Sequence, residues 1–280
     1  MGLMGTAHVA VKKELLVRYL DAWLPAALHG HKRVCLILAT SSDELLGAVS
    51  EVLIELADLL EGHELTLVTG LPIRPLAGVS MTDTWSPKLG LPLAFLDGSD
   101  ELLDAVTRVK DAAILAFLPR PRDVALPLTC VAYLVASDGT QETLLFGTSS
   151  EKALEKFKEE LWALDEFAGV QLRDPADPEL LDIGLQAHLG PLRRILGDRL
   201  ATAGSAQVSE LRTWTLRHTV YQAADAVRAL HAMAAAGEVR RSPATGRLGA
   251  TTIIEPVPPP DRSSADEPDE PDERGDIDAG

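Results

Sequence analysis

The chain has 280 residues, more than one average domain needs, so we expect an α/β unit with a small module attached. Hydrophobic residues make up 46% of it, enough for an ordinary core, yet no apolar run approaches the ~20 residues of a bilayer-spanning helix. The N-terminus lacks the pattern of a signal peptide. These features predict a cytoplasmic protein with no membrane partner.

The net charge of −16 is unevenly distributed along the chain. Residues 256–280 hold nine Asp or Glu and two Arg, a net charge of −7, which leaves −9 for the 255 residues before them. Because this segment is rich in Pro and acidic residues, it is typical of disorder. We predict a disordered acidic tail that serves either solubility or regulation. The charge of the folded part therefore does not exclude nucleic-acid binding.

Apolar runs alternate with helical patterns in the first half of the chain. Residues 11–28 have the spacing of an amphipathic helix, and residues 33–39 form a continuous apolar run, as in a strand buried on both faces of a sheet. The further predicted elements are a crossover helix that opens with a capping box at Ser41 and Glu44, strands at 64–69, 91–97 and 112–118, and a helix at 99–109. The alternation predicts a doubly wound, Rossmann-like parallel sheet.

Two more strand-like runs, 129–136 and 140–148, flank an Asp-Gly turn signal and predict a terminal hairpin. Thr148 and Glu151 are spaced as a capping box ahead of a helix with one apolar face. We assign residues 1–170 to this α/β domain.

Residues 171–255 read as a helical linker followed by a winged helix-turn-helix. A helix at about 191–201 precedes two short amphipathic helices, the second capped by Thr219 and ending at Gly237. A strand, turn and strand follow, as in a β-wing. The order of helix, turn, helix and basic hairpin predicts a winged helix from about residue 207 to 255.

The candidate nucleic-acid-binding residues lie on the second helix and the wing. Gln222 and Arg228 are the helix donors placed to reach bases, and Arg240, Arg241 and Arg247 are placed to contact phosphates. Residues 205–255 carry six Arg and four acidic residues, only +2, so the arginines are either phosphate contacts or solvated surface. Winged helices also serve as protein-docking modules.

Other chemistry is not indicated. The seven histidines lack metal-ligand spacing, and Cys35 and Cys130 lie inside apolar runs, where a buried thiol is expected. We therefore predict no metal site and no catalytic residues.

Three segments resemble the three-Cys-motif partner family, methyltransferase-like proteins that carry a C-terminal winged helix. The likeness spans most of the chain and rests on KKELLVRYLDAWLPAAL, FGTSSEKALEKFKEELWALDE and VSELRTWTLRHTVY. The family is named for its association with a radical-SAM-type protein bearing three cysteines. The resemblance therefore implies such a partner and S-adenosylmethionine as a cofactor.

The catalytic half departs from the family's pattern. Leu38 to Ser41 stand where the family has Phe-Ala-Gly-Pro-Gly, a turn that lets backbone approach the cofactor. The second strand ends in Val68, Thr69 and Gly70, without the acid that holds ribose hydroxyls, and the family's Asp-Pro-Phe-Gly survives only as Asp97 and Gly98.

We hypothesise a non-catalytic regulator or adaptor that binds no cofactor and whose winged helix binds duplex DNA or another protein. An alternative is a methyltransferase that holds S-adenosylmethionine unconventionally, through Asp97 and the loop from Gly70 to Gly90. In a third hypothesis the acidic tail folds over the wing arginines and mimics phosphates.

Overall fold

The computed structural model describes residues 6–71, 74–164 and 169–257. The chain is a mixed α/β protein with a large central sheet, consistent with a Rossmann-like fold, and a small second sheet. The strands are β1 (Arg33–Ala39), β2 (Glu64–Thr69), β3 (Val79–Thr82), β4 (Leu91–Asp97), β5 (Ala113–Leu118), β6 (Leu128–Ala136), β7 (Gln141–Thr148), β8 (Val170–Arg173), β9 (Leu180–Asp182), β10 (Ala206–Gln207), β11 (Val239–Ser242) and β12 (Ile253–Pro256). The α-helices are α1 (Thr6–Gly30), α2 (Asp43–Glu55), α3 (Leu103–Val106), α4 (Glu151–Trp162), α5 (Gly190–Ala203), α6 (Val208–His218) and α7 (Ala223–Ala235). Residues 258–280, nearly all of the predicted acidic tail, lie outside the described residues.

The large sheet has the order β3-β2-β1-β4-β5-β7-β6-β8-β9. Pairing is parallel from β3 through β5 and antiparallel from β5 onward. The parallel half follows the doubly wound order, in which the direction of strand addition reverses between β1 and β4. The four predicted parallel strands are confirmed, because continuous apolar runs of this length are stable only when both faces are covered.

The two faces of the sheet are covered unequally. Alternation along β1 sends Val34 and Leu36 into one apolar cluster and Cys35 and Ile37 into the other. The first face packs against α1, α2 and α4, whereas the described residues place the four-residue α3, a short 3-10 helix at Pro87–Leu89 and loops on the second.

The predicted helix at 99–109 is wrong in length, since only Leu103–Val106 is α-helical. Side chains at its flanks bond the backbone locally instead: the Ser99 hydroxyl accepts from the Glu101 N–H at 3.4 Å, and the Thr107 hydroxyl donates to the Asp104 carbonyl at 3.0 Å. Such bonds compete with helix formation.

The predicted hairpin forms, but it is not terminal. β7 enters the sheet between β5 and β6, and β8 and β9 then extend the sheet beyond β6. The large sheet therefore continues to Asp182, past residue 170.

The predicted caps are displaced by one to three residues. Ser42 and Ser150, rather than Ser41 and Thr148, cap α2 and α4 through their hydroxyls, and Gln222 rather than Thr219 precedes α7. Thr219 instead ends α6.

Helices α5, α6 and α7 pack against the small antiparallel sheet, whose order is β10-β12-β11. Leu211 of α6, Leu230 of α7 and Ile254 of β12 belong to the same buried cluster as the α1-covered face of the large sheet. The C-terminal elements therefore share one continuous core with the α/β domain. Among the described helices, none is long and apolar enough to cross a membrane.

Candidate functional site

The carboxyl ends of β1 and β4 form the crevice where a doubly wound sheet ordinarily binds its ligand. Ala39 pairs with Leu96 in register, so the turn after β1 lies beside the end of β4. In that turn the Thr40 hydroxyl accepts from the Ser42 N–H at 3.1 Å, and the Ser42 hydroxyl accepts from the Leu45 N–H at 3.4 Å. Side chains of the turn thus satisfy amide groups that a glycine-bearing loop would offer to a cofactor.

Both carboxylate oxygens of Asp97, the sole candidate cofactor residue, have partners within the chain. Oδ1 accepts from Nζ of Lys12 at 2.8 Å, and Oδ2 accepts from the Thr40 hydroxyl at 2.9 Å. The Lys12 and Asp97 side chains are only 9% and 17% exposed. Asp97 therefore lies in a shielded ion pair that a ribose would have to displace.

Lys12 also connects Asp97 to a second carboxylate. Its Nζ donates to Oε1 of Glu142 at 2.7 Å and lies 5.4 Å from the centre of the Phe117 ring. The other Glu142 oxygen, Oε2, is buried and has no hydrogen-bond partner among the described residues. Lys12 thus pairs with two carboxylates at the strand ends and connects α1 to β4 and β7.

The residues present do not fit S-adenosylmethionine held by Asp97. Gly70 follows β2 at the same edge of the sheet as Asp97, but Gly90 precedes β4 at the opposite edge. A Cβ on Gly90 would lie 2.4 Å from the Arg33 carbonyl oxygen, so this glycine permits close strand packing. Residues 72 and 73 of the same loop lie outside the described residues.

Asp225 is a hydrogen-bond acceptor for both candidate residues of the second helix, but only Arg228 donates to it through its side chain. Gln222 precedes α7, and its backbone N–H donates to Oδ2 of Asp225 at 3.0 Å. Arg228 is exposed, but its guanidinium donates to Oδ1 of the buried Asp225 at 2.5 Å. Besides Arg228 and His231, the exposed face of α7 carries mainly alanines. This face has few groups with which to read bases.

The three arginines of the predicted wing occupy different surfaces. Arg240 and Arg241 are consecutive in β11, so their side chains leave opposite faces of the small sheet. Arg240 is exposed opposite Glu255, whereas Arg241 is half-buried and its Nε donates to the Ala244 carbonyl at 2.8 Å. Arg247 is exposed in the connection between β11 and β12. Arg240 and Arg247 have no ion-pair partner within the described part of the chain, so they are free to contact an anion.

A buried lysine ties the turn between α6 and α7 to the α/β domain. Lys158 of α4 is fully buried, and its Nζ donates to the carbonyl oxygens of Leu216 at 2.5 Å, of Tyr221 at 2.9 Å and of Thr219. Desolvation lowers the pKa of Lys158, while nearby acidic groups, Cys130 and Asp174 foremost, oppose the shift. The end of α6 is thereby capped by a side chain of another element.

Two further bonds hold the same turn through Val220. The Trp162 indole N–H donates to the Val220 carbonyl at 3.0 Å, and the Val220 N–H donates to Oδ2 of Asp174 at 2.7 Å. Burial raises the pKa of Asp174, against the opposing effect of its backbone donors. The position of α7 is therefore set by the α/β domain.

The sequence analysis predicted no role for Lys12 or Lys158, although the position of each lysine in its helix indicates one. Lys158 lies four residues after Leu154 on the apolar stripe of α4, where a charge requires a partner. Lys12 adjoins buried Val11 on the inward face of α1. Their partners are 57 to 130 residues away, so the sequence marks the lysines but not what they bind.

Among the described residues, no group of three or more His, Cys, Asp or Glu is arranged to hold a metal ion. The chain matches no model of a known protein family, no curated protein and no solved structure.

Proposed function

We propose that this chain is a non-catalytic regulatory protein whose C-terminal elements form a winged helix that binds duplex DNA, mainly through phosphates. The observation that carries the proposal is the pair of exposed arginines, Arg240 and Arg247, directly after the helix pair α6–α7 and without ion-pair partners among the described residues. The element order is what a winged helix requires: two helices, then a strand, a connection and a returning strand.

The composition of α7 supports binding with little sequence discrimination. Its exposed face offers few hydrogen-bond donors, and Arg228 is already paired with Asp225. Phosphate contacts position a protein on DNA without reading its sequence. The proposed complex is therefore strongly salt-dependent.

The engaged state of Asp97 supports the non-catalytic part of the proposal. A cofactor with a ribose needs a free acid and close backbone approach, whereas Lys12 and Thr40 already occupy both oxygens of Asp97. In this proposal the methyltransferase-like domain that the family resemblance implies is a scaffold kept for its shape. The three-Cys-motif radical-SAM-type partner is likewise proposed from the resemblance alone.

The test is duplex DNA binding by the full chain across a salt series, comparing wild type with Arg240→Ala/Arg247→Ala. Loss of two phosphate contacts should lower affinity by about tenfold or more and reduce the salt slope by about 1.8. Arg108→Ala is the matched control, since Arg108 is exposed and lies in the α/β domain. Equal binding by the double variant and the control would refute the wing as the contact surface.

The alternative, a methyltransferase with an unconventional cofactor site, makes a separate prediction. Calorimetric titration with S-adenosylmethionine should give saturable heat, and Asp97→Asn should weaken it. Binding that Asp97→Asn abolishes would replace the non-catalytic proposal with the enzymatic one.

A further inference from the structure

A groove lies between α5 and α6, and its walls hold none of the proposed DNA-contact residues. Its volume is about 610 Å³. Small-molecule sites typically measure ~300–1,000 Å³. Its polar and aromatic lining includes Arg199, Ser205, Ser209, Trp214, Arg217 and His218.

Three planar groups stack along this wall. The Arg199 guanidinium lies 5.8 Å from the centre of the Trp214 ring, and the His218 ring stacks on Trp214 with centroids 5.3 Å apart and planes inclined by 30°. Partial burial, together with Arg217 and Arg199, lowers the pKa of His218 and so favours the neutral ring. The wall thus combines two stacked aromatic rings with two guanidinium groups.

The charge of the wall favours an anion. Glu210 is the only acid among the lining residues, and its carboxylate already accepts from the Gln207 N–H at 2.8 Å. Arg217 is exposed and pairs with Glu151 through Nε and one terminal nitrogen. The other terminal nitrogen of Arg217 remains available to a ligand.

We propose that this groove is a nucleotide-binding site, in which a base stacks against Trp214 and His218 and the phosphate pairs with Arg217. Stacking on aromatic rings and Arg planes is the usual means of holding an unpaired base, and guanidinium groups are the usual partners of phosphate. Ser205 and Ser209 add hydroxyls that can bond the ribose or the base edge. The proposal does not depend on DNA binding by the wing.

The test is calorimetric titration of the full chain with AMP, GMP, CMP and UMP, and with adenosine and inorganic phosphate alone. At least one nucleotide should bind more tightly than adenosine or phosphate. Trp214→Ala should weaken binding by about tenfold or more, whereas Trp214→Phe, which keeps an aromatic ring, should stay within about threefold of wild type.

Arg217→Ala should lower affinity for the nucleotide and leave adenosine binding unchanged. The matched control is Arg212→Ala, because Arg212 is exposed on the same helix but is not part of the groove wall.

Absence of binding for all four nucleotides would overturn the proposal and leave a protein partner as the occupant of the groove. Equal affinity for phosphate alone, or an equal effect of Arg212→Ala, would overturn it as well. DNA affinity of the Trp214→Phe variant should match wild type, which separates this site from the wing.

Discussion

Nζ of Lys158 in α4 donates to the carbonyl oxygen of Tyr221 at 2.9 Å, across 63 residues of sequence. This bond brings a charge of the α/β domain to the turn between the two helices of the proposed DNA-binding module. The module is consequently not a tethered appendage, because its helix turn is bonded to α4 from within the core. Any ligand or partner that displaces α4 would displace α7 with it.

Lys158→Met should destabilise the protein by about 3 kcal/mol, because it leaves several buried carbonyls without a donor. Urea unfolding followed by tryptophan fluorescence measures the loss. The control is Lys152→Met, an exposed lysine on the same helix, which should change stability by less than about 0.5 kcal/mol. Similar free energies of unfolding for the two variants would show that the Lys158 bonds contribute nothing net.

Lys12→Met should cost about 2 kcal/mol of stability, since it leaves Asp97 and Glu142 shielded from solvent without their shared cation. Thermal unfolding at pH 7 provides the measurement. Lys13→Met removes the neighbouring, more exposed lysine and should leave the melting temperature nearly unchanged. If Lys12→Met were as stable as Lys13→Met, the strand-end cluster would have no structural role.

Ionisation of Asp177 should make the free energy of unfolding depend on pH in the acid range. Hydrogen bonds from Arg194 lower the pKa of the Asp177 carboxyl in the folded protein. A group with a depressed folded pKa stabilises above its unfolded pKa, about 3.9, and this contribution is lost as the pH falls through the folded value. Asp177→Asn should therefore be less stable than wild type at pH 7, and the difference should shrink below about pH 4. A difference independent of pH between 7 and 3 would contradict this assignment.

On the proposed function, deletion of residues 258–280 should raise DNA affinity, because it removes nine acidic residues and two arginines just after β12. We expect an increase of about fivefold at low salt that diminishes as salt screens the charges. A full-length variant with the acidic residues changed to Asn and Gln should behave like the truncation. Unchanged affinity in both would exclude any competition between tail and DNA.

Much of the α/β half was predictable because its strands are buried on both faces. Runs such as 34–39 and 112–118 are apolar at every position, which only a covered parallel strand tolerates. The short strands β3, β8 and β9 were missed, since few of their residues are buried and their pairing depends on neighbours. The predicted helix at 99–109 failed because local side-chain bonds outweighed its periodicity.

The candidate site was also predictable from the sequence only in part. The sequence by itself determined that no glycine follows the first strand and that arginines cluster after the last helix, since residue types at a turn or on a hairpin are local properties. Only the tertiary structure decided that Lys12 and Thr40 occupy Asp97, that Arg240 and Arg241 face apart, and that Arg199 stacks on Trp214. The physical reason is that charge pairing and stacking act over a few ångströms of space, and folding alone determines which distant residues come that close.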